Sequence, residues 1–233
     1  MAEPPTAGTS TAFDDRAYAA AVVDLLGAIA YGEMSAFERL ADDSKLAPDL
    51  ADKAELAAMA STEFGHFERL RSRLTDLGAD PFAAMAPFVA AFEEFHVRTA
   101  PADWLEGLVK AYVGDGLAGD FYHEVASFVD ADTRALIVES LADAGQSAFV
   151  VDRVRRAIDA DHRVGGRLAL WGRRLMGEAL SQAQRVVAER EALTALLAGG
   201  PDRPALDLAA VSRLFARITE NHAERMGKLG LEP

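Results

Sequence analysis

The chain of 233 residues contains no cysteine, which excludes disulfides and thiolate metal sites. It also lacks long apolar runs: no stretch approaches the roughly 18 residues that a membrane span needs. Residues 1–13 are rich in Pro, Ala, Thr and Ser and lack the basic and apolar regions of a signal peptide. We therefore expect a disordered N-terminal tail, a cytoplasmic protein and no membrane partner.

Basic residues are scarce. The chain has 24 Lys and Arg against 37 Asp and Glu, which gives a net charge of −13. This balance argues against broad electrostatic capture of nucleic acid. Residues 153–174 depart from this acidic composition, because the segment contains seven arginines, at 153, 155, 156, 163, 167, 173 and 174. The interspersed aspartates favour a solvated helix face with ion pairs. A local anion-binding or RNA-binding surface is the alternative.

Strand-type alternation is missing, and apolar residues recur with helical periodicity almost throughout. This pattern predicts an all-α protein with one substantial core. Two long antiparallel hairpins joined by a crossover describe a ferritin-like four-helix bundle with two additional C-terminal helices. We expect one domain over 14–233, with the bundle core at about 15–162 and C-terminal helices at about 167–229. The predicted helices span 15–42, 49–77, part of 80–100, 103–129, 133–161, 167–198 and 206–229.

Three ionisable residues interrupt the apolar stripes of the first hairpin. Glu33 lies within the stripe of the first helix, and Glu63 and His66 lie on that of the second. Because residues three apart share a helix face, Glu63 and His66 point the same way. Burying unpaired carboxylates is costly, and a metal cation compensates for it. A buried Glu63–His66 pair, or an arginine facing Glu33, is the alternative without metal.

The second hairpin offers a weaker version of this pattern. Asp115 lies on an apolar stripe, and Asp143 and Gln146 follow with the spacing of a Glu-x-x-His motif. Carboxylate-bridged bundles take one such set from each hairpin, so these residues are the candidate ligands of a second ion. A rival motif, Asp159-x-x-His162, has charged neighbours and lies too far from the turn near residue 130. We expect it at the surface.

Three short motifs are specific enough for comparison with a known family. They are Tyr31-Gly32-Glu33, Glu63-Phe64-Gly65-His66-Phe67-Glu68 and Ala111-Tyr112-Val113 with Phe121. With them the chain resembles, over roughly residues 15–190, the bacterial tRNA 2-methylthio-N6-isopentenyladenosine hydroxylases, in an actinobacterial-type branch.

That family consists of ferritin-like, non-haem di-iron monooxygenases that hydroxylate the isopentenyl group of a modified adenosine in tRNA. The resemblance assigns metal ligation to Glu33, Glu63 and His66. The glutamate expected from helix three falls on Gly114, beside Asp115. The second Glu-x-x-His motif becomes Asp143-x-x-Gln146.

Two functions follow as hypotheses. In the first, the protein is an O2-dependent hydroxylase or monooxygenase that binds one or two iron ions, or manganese. Its ligands would be Glu33, Glu63, His66, Asp115, Asp143 and Gln146. The expected partners are tRNA or a small-molecule substrate, an electron-donor protein and a second copy of the chain. In the second, the protein is a non-catalytic binding or assembly module with a degenerate metal site. A mini-ferritin storage role is a third alternative.

Overall fold

The computed structural model describes residues 8–140, 146–198 and 208–233, and these ranges contain helices and turns but no strand. The all-α prediction is therefore confirmed. Two long helices form the first hairpin, α1 (Gly8–Asp43) and α2 (Leu50–Asp76), with a 3-10 turn at Ser44–Leu46 between them. Residues 8–13 belong to α1 rather than to the predicted tail, and residues 1–7 lie outside the described ranges.

The ends of α2 follow from local chemistry. The Asp49 side chain accepts a hydrogen bond from the backbone N–H of Asp52 at 2.9 Å, which satisfies a free donor of the first turn. At the other end Gly78 has φ of 75°, a conformation that glycine adopts without strain. The predicted boundaries of this helix agree with these two signals.

The crossover consists of α3 (Pro81–Met85) and α4 (Val89–Arg98). It returns along α1, because Tyr31 bonds to Glu93 and Ser35 bonds to His96. At Gly27 the two segments approach so closely that a β-carbon would collide with the carbonyl oxygen of Ala84. The crossover thereby closes one side of the first hairpin.

Helix α5 (Trp104–Val125) runs antiparallel to α1, since Gly107 lies against Asp43 and Tyr122 lies against Gly32. The predicted fourth helix, 133–161, corresponds to α6 (Ala131–Ser140) and α7 (Gln146–Ala160), and residues 141–145 lie outside the described ranges. Arg153 of α7 bonds to Asp52 of α2 at 2.6 Å and so ties the second half of the bundle to the first.

Three helices follow: α8 (His162–Glu189), α9 (Glu191–Ala198) and α10 (Leu208–Leu229). The predicted break at Gly165 and Gly166 is wrong, because both lie inside α8. The chain turns earlier, where the Asp161 side chain caps α8 by accepting from Arg163 N–H at 3.0 Å. The predicted fifth helix is also divided, since Arg190 is extended between α8 and α9.

Within the described ranges, one helix is long and apolar enough to cross a membrane by length and composition alone. It covers Arg16–Leu46, and 61% of its most apolar window is buried against the rest of the protein. A core helix of this kind passes the same test, so the segment gives no independent evidence of a membrane span.

The interior contains two apolar clusters, one at each end of the first hairpin. Ile29 and Phe67 belong to the first cluster, and Leu40 and Met59 belong to the second. On both helices the junction between the clusters falls at the ionisable residues found in the sequence. The fold therefore places those residues in the middle of the α1–α2 interface.

Candidate metal centre

Glu33, Glu63 and His66 form one buried group between α1 and α2. Each residue is 8% exposed. The Nδ1 atom of His66 lies 3.3 Å from Oε2 of Glu63 and 3.5 Å from Oε2 of Glu33. One potential ligand atom from each residue lies within 4.8 Å of the other two. The three side chains that the sequence singled out therefore converge.

Burial controls the charges of this group. It raises the pKa of Glu33 well above its usual range. Burial acts the same way on Glu63, but hydrogen bonding from His66 and Glu33 outweighs it and lowers that pKa. The facing carboxylates, Glu33 first, raise the pKa of His66 to about 9. The metal-free group thus holds protons between its members, and a cation would favour the fully ionised carboxylates.

The donor set suits a transition metal. Two carboxylates and one imidazole are the ligand types that iron, manganese and zinc accept in proteins. Although Nδ1 of His66 lies at ion-pair distance from both carboxylates, it is buried and has no well-aligned hydrogen bond. A buried imidazole nitrogen without a well-aligned hydrogen bond is costly, and a bound ion would accept its lone pair. The residues present therefore fit a metal ion.

Helix α5 does not supply the carboxylate expected of it. Asp115 is exposed, so the prediction that it faces the core is wrong. The residues of α5 that pack against the core cluster around α1 are Ala118, Phe121, Tyr122 and Val125. Asp115 lies one turn before Ala118, at the edge of this stripe, where its side chain is exposed.

The remaining predicted ligands cannot be placed. Asp143 lies in 141–145, outside the described residues, and the side chain of Gln146 at the start of α7 is likewise outside them. The only group of three potential ligands within the described part of the chain is Glu33, Glu63 and His66. The rival pair Asp159 and His162 is exposed, as expected.

Sequence reasoning missed Tyr122. Its side chain is 7% exposed, and its hydroxyl faces Gly32, where a β-carbon would lie only 3.1 Å from it. Burial, and then the charge of Glu33, raises the pKa of Tyr122. The periodicity of α5 puts Tyr122 on the same stripe as Asp115, but the carboxylate of Asp115, and not the phenol, was the expected contact with the metal centre.

One further histidine is buried away from the candidate metal centre. His222 of α10 is 3% exposed, because α10 packs against α5 and α7. Burial lowers its pKa, helped by the charge of Arg225.

The arginines of 153–174 mostly serve the fold. Six of the seven bond to other groups of the chain: Arg153, Arg155, Arg156, Arg167, Arg173 and Arg174. Several cap helix ends: Arg155 donates to the carbonyl of Lys228 at 2.7 Å, and Arg174 donates to that of Arg98 at 2.6 Å. The interpretation as a face of internal ion pairs fits these contacts better than a free cationic surface does.

Comparison with known proteins agrees with this architecture. A family model described as "Ferritin-like domain, actinomycetes" matches residues 16–200. The chain belongs to this family. It is similar in structure to a Synechococcus protein described as having aldehyde deformylating oxidase activity. That likeness has a TM-score of 0.65 and 18% sequence identity and covers 93% of this chain and 92% of the other, so it shows the fold alone. No curated protein matches the chain.

Proposed function

We propose that this protein is a metal-dependent oxidoreductase that uses dioxygen, with iron held by Glu33, Glu63 and His66. The observation that carries the proposal is the convergence of these side chains at a buried position between the two apolar clusters. A ferritin-like fold places metal sites at such a position. Iron bound there supplies the electrons that activate dioxygen.

The residues of the chain have separate parts in this proposal. Glu33 and Glu63 neutralise the charge of the ion, and His66 adds a neutral nitrogen ligand through Nδ1. The apolar residues on either side, including Ala30, Met59 and Phe67, are buried and keep bulk water from the group. Three protein ligands leave coordination positions open for a substrate or dioxygen.

We propose a small organic molecule as the substrate, with an aldehyde as the first class to examine. Support for this choice comes from the apolar surroundings of the site and from the fold shared with the aldehyde deformylating oxidase. A modified nucleoside of tRNA is the second choice, because six arginines of 153–174 already bond within the chain.

The test is a stopped-flow experiment on protein loaded anaerobically with ferrous iron and then mixed with oxygenated buffer. We expect oxidation of the bound iron with an optical change that depends on Glu63. The variant Glu63→Gln should lose the change, whereas Glu68→Gln should keep it, because Glu68 pairs with Arg71 on the outer side of the same helix. Identical traces from Glu63→Gln and wild type would overturn the proposal. Aldehydes and tRNA are then added separately, and accelerated oxygen consumption identifies the substrate class.

A second candidate function is a binding or assembly module that keeps the fold without catalysis. The exposure of Asp115 favours it, as does the lack, among the described residues of α5, of a carboxylate that joins the Glu33, Glu63 and His66 group, since two-ion sites draw ligands from both hairpins. Under this alternative, replacing Glu63 with Leu and His66 with Met stabilises the protein, because apolar side chains replace desolvated polar ones. A raised melting temperature in that double variant would support the module.

A further inference from the structure

Helix α5 brings the phenol of Tyr122 to α1 near the candidate metal centre, where a ferritin-like fold leads us to expect a carboxylate. The carboxylates of α5 are either paired with arginines or exposed. Glu106 bonds to Arg167, and Glu124 bonds to Arg217, both at 2.5 Å. Asp120 pairs with Arg225, and Asp115 is exposed. Tyr122 is thus the polar side chain of α5 that reaches α1 beside Glu33.

The position of Tyr122 is set by packing on both sides. Gly32 has no side chain, and a β-carbon there would lie 3.1 Å from the Tyr122 hydroxyl and 3.3 Å from the ring of Phe92. The Phe92 ring is in turn held by Tyr31 in an edge-on contact, with centroids 5.5 Å apart. The hydroxyl of Tyr122 is therefore held against α1 at Gly32, the residue that precedes Glu33.

We propose that the Tyr122 hydroxyl donates a hydrogen bond to a small anionic or oxygen-containing ligand on the open side of a metal ion held by Glu33, Glu63 and His66. This inference rests on the proposed function. Buried tyrosine hydroxyls normally have a partner. Among the described residues none is hydrogen-bonded to Tyr122, so its donor is available to a ligand.

The phenol is a neutral donor. A tyrosine hydroxyl is protonated at neutral pH, since its ordinary pKa is about 10. A protonated phenol can donate one hydrogen bond and does not compete with the ligand for the ion. Tyr122 thus acts as a ligand-binding residue.

Azide is the probe, and cobalt(II) is the metal, since its visible spectrum reports changes in coordination. Wild-type protein is loaded with cobalt and titrated with azide. In Tyr122→Phe we expect azide to bind about 10-fold more weakly, the loss of one hydrogen bond to a charged group. Cobalt affinity itself should stay within about twofold of wild type, because the phenol is not a ligand of the ion.

Two further variants sharpen the result. Gly32→Ala keeps the phenol but displaces its hydroxyl, so azide binding should weaken as in Tyr122→Phe. Tyr31→Phe removes a different hydroxyl, one that bonds to Glu93 at 3.2 Å, and should leave azide affinity unchanged. The melting temperature of each metal-free variant shows whether it folds, and Gly32→Ala carries the test if Tyr122→Phe does not.

The outcomes separate the two ideas. Cobalt binding that is lost in Glu33→Ala/Glu63→Ala supports the proposed function. If azide affinity is nevertheless the same in wild type, Tyr122→Phe and Gly32→Ala, this inference is wrong and the proposed function stands. If wild type binds no more cobalt than Glu33→Ala/Glu63→Ala, the proposed function fails and this inference fails with it. Equal weakening in Tyr31→Phe would also overturn the role of Tyr122.

Discussion

The Nδ1 atom of His66 on α2 lies 3.5 Å from Oε2 of Glu33 on α1, at the junction of the two apolar clusters. This contact joins the helices where their interface would otherwise be apolar. Carboxylates and imidazole buried in such a place cost stability unless a partner compensates for them. The stability of the first hairpin should therefore respond to metal.

Adding manganese(II) to metal-free protein should raise its melting temperature. At a metal concentration 100 times the dissociation constant the gain is about 2.7 kcal/mol, because only the folded state binds. For a chain of this size that corresponds to roughly 5–10 °C. Differential scanning calorimetry measures the shift. Glu63→Gln should abolish it and Glu68→Gln should retain it; an equal shift in both variants would place the metal elsewhere.

Replacing Gly27 with alanine should destabilise the protein by about 1–3 kcal/mol, because the new methyl group would press α1 away from the Ala84 carbonyl. Gly114→Ala is the matched control. Among the described residues, no atom outside the helix's own backbone lies within 4 Å of a β-carbon at Gly114, so alanine should stabilise α5 by up to about 1 kcal/mol. Urea unfolding measures both. Equal effects would contradict the close approach of the crossover at Gly27.

The ion pair between Asp24 and Arg190 should hold α9 against α1. Two guanidinium nitrogens of Arg190 contact the Asp24 carboxylate at 2.7–3.0 Å, and Asp24 is 9% exposed. Asp24→Ala should cost about 2 kcal/mol in urea unfolding, the loss of hydrogen bonds to a charged partner. The exposed pair of Asp42 and Lys45 is the control, and Asp42→Ala should change stability by less than about 1 kcal/mol.

His96 should make the protein less stable in mild acid. Burial, then the charges of Lys110 and Arg39, lowers its pKa to about 3 from a usual 6.5. Below pH 6.5 the unfolded chain therefore takes up a proton that the folded protein does not. Stability that is complete above pH 6.5 is lost as the pH falls towards 3, by about 1.4 kcal/mol per pH unit.

The variant His96→Gln isolates this contribution, because glutamine does not titrate. The difference in unfolding free energy between wild type and His96→Gln should shrink steadily from pH 7 to pH 5. Ser35, which lies 2.6 Å from Nε2 of His96, is unchanged in both proteins. A difference that stays constant with pH would show that His96 has an ordinary pKa in the folded protein.

The sequence was sufficient to predict the first hairpin and its polar group. Glu33, Glu63 and His66 lie on the apolar stripes of α1 and α2, and each helix has only one such stripe to bury. Asp49 and Gly78 marked the two ends of α2. Two long helices joined by a short turn can pack only along those faces. The pairing of α1 and α2 along these faces brings Glu33 to the level of Glu63 and His66.

The second half resisted prediction because α5 packs on several sides at once. It contacts α1, α7, α8 and α10, and its apolar residues therefore surround most of the helix. Periodicity alone could not decide which residue of the stripe shared by Asp115 and Tyr122 reaches α1, and the structure brings Tyr122 rather than Asp115 to Gly32. The helix break at Asp161 was likewise hidden, because glycine pairs inside a long, well-packed helix look like breaks in a sequence.

The most direct measurement of the central claim is an anaerobic equilibrium dialysis against ferrous iron, with metal counted per chain. Wild type should retain at least one iron per chain, and Glu33→Ala/Glu63→Ala should retain none above background. Glu38→Ala/Glu68→Ala, which removes two carboxylates from outer positions of the same helices, should match wild type. Equal iron content in wild type and the Glu33/Glu63 variant would contradict the account.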